Sequence, residues 1–182
     1  MKVYPVFEKE NRNKIEMILQ ATNKRNYVLW LVGTQTGYRV SDIVGLRVKD
    51  VKGTAITLIE QKTGKERSVK INKKLRAALK DYTKTMKDND YLFPSRLGGG
   101  NRHICIRRVQ QIIKKVAELC GIEENICSHS MRKTYAFMMY KITGSLALVM
   151  EALNHSKESI TIRYLCLSHL MINDATDAMA DY

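Results

Sequence analysis

The chain has 182 residues, of which 45% are hydrophobic and 27% are charged. This length and composition exclude a disordered chain and favour a single globular domain over residues 1–182. The sequence has no apolar run long enough to span a membrane, and its N-terminus lacks the apolar region of a signal peptide. We therefore expect a cytoplasmic protein without a membrane partner.

The excess of basic residues indicates the kind of partner that the protein binds. The chain has 31 Lys and Arg residues against 18 Asp and Glu, which gives a formal net charge of +13. Such an excess favours a polyanionic partner, with nucleic acid ahead of an acidic membrane, although a solvated basic surface has the same composition. The four cysteines and four histidines show no metal-ligand spacing. We expect reduced cysteines, no metal and no cofactor.

The first part of the chain has helical patterns. Residues 12–22 place apolar side chains at helical spacing, and residues 26–32 are apolar all round, which is typical of a buried central helix. Gly37 interrupts this run. Ser41 is a suitable N-cap for a short helix that follows, and Asp42 lies in the first turn of that helix.

One hairpin is the only β-structure that the sequence predicts. Residues 54–60 and 67–71 are rich in side chains that favour strands, and residues 63–65 between them suit a tight turn. The remaining chain is again helical in pattern, over residues 73–86 and 106–119, about 130–142, about 145–153 after a Ser145 cap, and about 173–179. The predicted fold class is mainly α with a small antiparallel β-hairpin (α+β).

Two segments have residues that could bind an anion. Arg39 follows a glycine turn at the start of the short helix, whose N-terminus also attracts negative charge. His129 and Arg132 share one face at the start of an otherwise apolar helix. Because burying an unpaired guanidinium is costly, Arg132 needs an anionic partner, which is either a carboxylate of the protein or a ligand.

Two further segments are less specific. Lys62 lies in the predicted hairpin turn, where a lysine can donate a proton into a nucleic-acid groove, although most hairpin lysines only keep a sheet edge soluble. His155 precedes Tyr164 by nine positions. The chain has nine tyrosines, and any one of them is by default an amphipathic core or surface residue. Residues 147–165 also resemble a helix-turn-helix, with residues 159–165 as its recognition helix.

The order of these motifs resembles the catalytic domain of the tyrosine recombinases, the phage-integrase family. The motifs TGYR, QKTGK, HSMR and LNHS followed by a tyrosine occur in that order, and the resemblance covers about residues 14–170. It implies the tyrosine-recombinase catalytic fold. It also implies a catalytic set made up of Arg39, Lys62, His129, Arg132, His155 and Tyr164. The chain departs from the family pattern at Asp42, Met131, Lys133 and Asn154, none of which removes a catalytic group.

The resemblance implies a metal-independent strand transferase that cleaves and rejoins double-stranded DNA at specific sites. Tyr164 would be the nucleophile and would form a 3′-phosphotyrosyl bond, while the arginines and histidines neutralise the phosphate. Lys62 would protonate the departing 5′ oxygen. A helix-turn-helix regulator without strand transfer, or a nicking-closing enzyme of the type IB topoisomerase kind, are the alternatives.

The resemblance also carries expectations about assembly. Family members exchange strands as tetramers on DNA, and a C-terminal segment, here about residues 167–182, packs on a neighbouring protomer. A monomer is possible without DNA. Most members have an additional N-terminal helical DNA-binding domain, which we expect to be absent from this chain.

Overall fold

The computed structural model describes residues 2–97, 101–155 and 157–166, together with residues 176 and 179. These residues form a mainly helical fold with one two-stranded antiparallel sheet, which confirms the predicted fold class. A short 3-10 helix spans Val48–Val51. The α-helices are α1 Lys9–Thr22, α2 Lys24–Thr36, α3 Val40–Val44, α4 Lys73–Tyr82, α5 Ile106–Leu119, α6 Ser128–Thr143, α7 Leu146–Leu153 and α8 Glu158–Leu165.

Helix α2 forms the centre of the fold. Its residues 28–32 are all buried, including the fully buried Trp30, and helices α1, α4 and α6 pack against it. This agrees with the sequence of the helix, which is apolar all round and so can bury every face. Gly37 has a φ of 64° and forms the left-handed C-cap of α2, which directs the chain into α3.

The hairpin consists of β1, Ala55–Ile59, and β2, Glu66–Lys70, paired from Ala55 with Lys70 to Ile59 with Glu66. Gly64 has a φ of 65° in the connecting turn, which agrees with the predicted tip. Lys62 lies in this turn, and its side chain is exposed.

A second, smaller core joins the last three helices. It contains Ala136 and Phe137 from α6, Val149 and Leu153 from α7, and Leu165 from α8, all of them buried. Helix α7 begins as predicted after its Ser145 cap, whose hydroxyl accepts a 3.3 Å hydrogen bond from the Leu148 N–H. This core fixes α8 against α6, and α7 lies between these two helices in the chain.

Some predicted boundaries were wrong. The cap of α3 is Arg39 and not Ser41, because the carbonyl of Arg39 accepts the N–H groups of Asp42 and Ile43 and so begins the first turn. Helix α4 ends at Tyr82, earlier than the predicted residue 86. The predicted segment 173–179 lies almost wholly outside the described residues.

Within the part of the chain that the structure describes, no helix is long and apolar enough to cross a bilayer.

Candidate active site

Arg39 and Arg132 lie against the same carboxylate, that of Glu60. Arg39 Nη1 is 2.9 Å from Glu60 Oε2, and Arg132 Nη1 is 3.3 Å from Glu60 Oε1. The Arg39 contact lacks hydrogen-bond geometry and is therefore a contact between charges. The Glu60 side chain is fully buried, while Arg132 is 4% and Arg39 17% exposed. The two arginines predicted to bind one phosphate therefore occupy one site, and Arg39 is the more open of them.

Arg132 is held rigidly by its neighbours. Its Nη1 donates a 2.6 Å hydrogen bond to the Gly37 carbonyl, and its Nη2 donates a 2.8 Å hydrogen bond to the Leu153 carbonyl. These contacts connect α6 with the ends of α2 and α7. The anionic partner that the sequence required for Arg132 is thus a carboxylate of the protein itself, Glu60.

The hairpin is docked onto the turn that contains Arg39. The Tyr38 hydroxyl lies 2.8 Å from the Ile56 carbonyl and 2.7 Å from the Arg67 carbonyl, so it bridges both strands. Asp42 Oδ1 accepts a 3.0 Å hydrogen bond from the Gln61 N–H. The residues on either side of Arg39 therefore determine where the turn that contains Lys62 lies.

His155 and Tyr164 contact one another, with ring centroids 5.2 Å apart in an edge-to-face arrangement. His155 Nδ1 is 3.0 Å from Thr161 Oγ1, which fixes the ring and leaves Nε2 for another partner. Burial, together with the charges of Arg132 and Arg39, lowers the pKa of His155 to about 4. The imidazole is therefore neutral at pH 7.

Tyr164 is half-buried near the two arginines. Burial raises the pKa of its phenol to about 12, although the charges of Arg132 and Arg39 and a hydrogen bond from Arg132 act to lower it. Burial therefore outweighs the two arginines. Lys133, at a position where the family often has histidine, places its Nζ 5.0 Å from the centroid of the Tyr164 ring.

His129 and Lys62 are the two remaining predicted site residues. Partial burial lowers the pKa of His129, and the charges of Lys133, Arg132, Lys62 and Arg39 lower it further. The structure therefore brings together four of the predicted residues, Arg39, Arg132, His155 and Tyr164. The other two are linked by electrostatics, because the charge of Lys62 acts on His129.

Glu60 was not identified from the sequence. It follows a strand of alternating pattern, and glutamate in that position is usually exposed. Only its long-range contacts reveal that it is buried, and the requirement for an anionic partner of Arg132 was the one signal that pointed to such a residue. Among the described residues, no three His, Cys, Asp or Glu side chains are grouped so that they could hold a metal ion.

Comparison with known proteins identifies the family of this chain. The model of the phage integrase family matches residues 9–169. The chain is 37% identical over 166 residues to the probable integrase/recombinase YoeC of Bacillus subtilis (strain 168), covering 90% of this chain and 89% of YoeC. The chain spans only about half the length of other curated relatives. It covers 57%, 58% and 48% of the lengths of three proteins named tyrosine recombinases.

Solved structures share the fold. The crystal structure of XerA recombinase superimposes with a TM-score of 0.79 and 22% identity over 98% of this chain and 64% of that chain. A post-cleavage complex of XerH site-specific recombinase bound to palindromic difH substrate gives a TM-score of 0.70 and 20% identity over 96% of this chain and 53% of that chain. The chain therefore belongs to the phage integrase family, the tyrosine recombinases.

Proposed function

We propose that this protein is a site-specific DNA recombinase that cleaves and rejoins strands through a covalent 3′-phosphotyrosyl intermediate. The observation that carries the proposal is the shared position of Arg39 and Arg132 on one carboxylate, with Tyr164 next to Arg132. A phosphodiester gains negative charge on its non-bridging oxygens during displacement, and preorganised guanidinium groups stabilise that charge. The arginines can supply this stabilisation without a metal ion.

In the proposed reaction the Tyr164 hydroxyl oxygen attacks phosphorus, and the bond from phosphorus to the 5′ oxygen breaks. His155 accepts the phenol proton, and Lys62 donates a proton to the departing oxygen, so that a free 5′-hydroxyl is formed. With a pKa of about 4, His155 alone is a weak base. A phosphate beside it would raise that pKa, because the negative charge favours the imidazolium.

DNA is the proposed partner, and the cytoplasm the proposed place of action. The net charge of +13 supports binding to the DNA backbone. We also propose that strand exchange requires self-assembly on DNA into a tetramer, as the family resemblance implies.

A trapping experiment tests this function. Duplexes that bind the protein are selected from a random pool and then nicked beside each phosphate in turn, so that cleavage releases a short fragment and prevents religation. We expect a protein-DNA band that survives denaturing electrophoresis with the wild-type chain and is absent with Tyr164→Phe. Tyr27→Phe, which removes a hydroxyl from helix α2, is the matched control and should retain the band.

The same experiment separates the alternatives. Binding to the selected duplexes without any covalent band would contradict the proposal and favour a helix-turn-helix regulator. If a covalent band forms, a mixture of two distinguishable duplexes tests strand exchange. Relaxation of supercoiled DNA without exchanged products would instead indicate a nicking-closing enzyme.

A further inference from the structure

The Glu60 carboxylate contacts several parts of the candidate site at once. Besides Arg39 and Arg132, its Oε1 lies 3.9 Å from Arg67 Nη1, so three guanidinium groups surround one carboxylate. Like charges at such short range repel, and burying them without a counter-charge would be strongly unfavourable. The two arginines can therefore share one site because Glu60 lies between them.

Glu60 also closes the turn that contains Lys62. The carbonyl of Glu60 accepts a 2.8 Å hydrogen bond from the Gly64 N–H and a 3.3 Å hydrogen bond from the Thr63 N–H. The Thr63 hydroxyl donates a 3.0 Å hydrogen bond to Glu60 Oε2, the oxygen that faces Arg39. The backbone of the lysine turn and the position of Arg39 are thus tied to the same residue.

A third connection reaches the turn before His155. Asn154 has a φ of 52°, a left-handed conformation in which the family usually has glycine, and its Nδ2 donates a 3.3 Å hydrogen bond to Glu60 Oε2. Glycine has no side chain with which to form this bond. The asparagine therefore adds a contact between the carboxylate and the turn that leads to His155.

The carboxylate remains ionised in this environment. Burial alone would raise the pKa of Glu60, but the close ion pair with Arg39, the hydrogen bond from Asn154 and the charge of Arg132 lower it to about 2. Its side chain is fully buried, and its backbone is fixed by the turn. Glu60 is consequently a permanent part of the site and not an anion that an incoming phosphate displaces.

We propose that Glu60 is a positioning residue for the strand-cleavage reaction. It sets the spacing of Arg39 and Arg132 for one phosphate and fixes the turns that contain Lys62 and His155 around them. This inference rests on the proposed function, because it concerns the rate of the same cleavage step. Glu60 does not itself touch the DNA.

The test compares Glu60→Asp and Glu60→Gln with the wild-type chain in single-turnover cleavage of the nicked duplex. Aspartate keeps the charge but withdraws it by one methylene, so we expect cleavage to slow by about tenfold to a hundredfold with unchanged DNA affinity. Glu60→Gln leaves three arginines without a counter-charge and should be slower still. If that variant fails to fold, Glu60→Asp alone decides the outcome.

A neutral substrate separates positioning from general damage to the fold. In a methylphosphonate linkage at the cleaved position, one charged oxygen is replaced by a methyl group, so less charge needs neutralisation by the arginines. We expect the ratio of wild-type to Glu60→Asp rates to be smaller on this substrate than on the phosphodiester. Glu16→Gln, which removes a carboxylate paired with Lys74 elsewhere, is the matched control and should cleave both substrates at the wild-type rate.

Three outcomes would overturn the inference about Glu60. Wild-type rates for Glu60→Asp would show that the carboxylate does not position the arginines, and an equal deficit on both substrates would show a structural role only. Tighter DNA binding with faster cleavage would show that Glu60 competes with the phosphate. A wild-type chain that forms no covalent complex would contradict the proposed function itself, and this result is distinguishable from the other three.

Discussion

Arg132 is tied to Gly37 by a 2.6 Å hydrogen bond from its Nη1 to the glycine carbonyl. Gly37 has a φ of 64°, and a Cβ at this position would lie 2.2 Å from Cδ1 of Tyr135. The close approach of α6 to the end of α2 thus requires a glycine two residues before Arg39. This contact keeps the two arginines in a fixed relation before any DNA is bound.

Arg132→Lys should nearly abolish cleavage. Lysine keeps the charge but cannot reproduce the fork of donors that reaches the Gly37 and Leu153 carbonyls and Glu60 together. We expect single-turnover cleavage to fall by about a hundredfold to a thousandfold. Circular dichroism and DNA binding should verify that the variant is folded. A cleavage rate equal to that of the wild-type chain would remove Arg132 from the site.

Local sequence signals were sufficient for most of the fold. The burial of α2 follows from its apolar residues, the hairpin from strand propensity and Gly64, and the start of α7 from Ser145. The start of α3 was predicted incorrectly. Arg39 and Ser41 both follow the Gly37 turn, and the preference of serine for N-cap positions does not fix the residue at which the backbone begins its first helical turn.

The stability of the fold should depend on the ionisation of His155. Its pKa of about 4 lies below the value of about 6.5 expected in the unfolded chain, so the unfolded chain binds more protons between these pH values. The contribution of neutral His155 to the free energy of unfolding is therefore fully present above pH 6.5 and is lost as the pH falls towards 4. Urea unfolding at several pH values from 7 to 5 measures this loss.

His155→Asn is the control for that measurement, because asparagine retains a polar atom for Thr161 but does not titrate. The wild-type chain should lose more free energy of unfolding between pH 7 and pH 5 than the variant does. If both proteins lost the same free energy of unfolding between pH 7 and pH 5, the lowered pKa of His155 would be contradicted. The range excludes most of the titration of Glu60, whose pKa of about 2 places its effect at lower pH.

The arginines around the start of α5 should supply part of the DNA affinity. Arg25, Arg96, Arg102, Arg107 and Arg108 line one cavity of about 520 Å³, together with His103 and without a lining Asp or Glu among the described residues. Arg107→Gln should weaken DNA binding and reduce the slope of log affinity against log salt by about 0.9 if Arg107 contacts one phosphate.

Lys114→Gln is the matched control for that variant, because it removes one charge from the same helix. Lys114 already pairs with Glu118 at 3.8 Å, so we expect a smaller change in both affinity and salt slope. Neither variant should alter the cleavage rate of DNA that is already bound. Equal effects of the two substitutions would indicate that only the total charge matters.

Asn154→Ala and Asn154→Gly should differ in stability. Asn154 has a φ of 52°, which costs alanine about 1 kcal/mol or more and glycine little. Both variants lose the 3.3 Å hydrogen bond to Glu60, so the difference between them isolates the backbone. Urea unfolding should show Asn154→Ala to be the less stable variant. Equal stabilities would contradict the left-handed conformation at this turn.

The site was only partly predictable from the sequence. The six side chains were predicted because their order along the chain resembles a known pattern. Their distances depend instead on the packing of α6 against α7 and on contacts such as that between Arg132 of α6 and Glu60 beside the hairpin. Glu60 had no such pattern. Helices α6 and α8 bury Tyr164, and this burial raises the pKa of its phenol. Such burial depends on the folded core and cannot be read from a local motif.

Identification of the residue attached to DNA tests the central claim most directly. After the covalent complex is trapped, nuclease and trypsin digestion should leave a nucleotide on the peptide that spans residues 164–182, which contains two tyrosines. Fragmentation by mass spectrometry should place the phosphodiester on Tyr164, with the nucleotide joined through its 3′ oxygen. Attachment to Tyr182, to a serine or to any other residue would contradict the account.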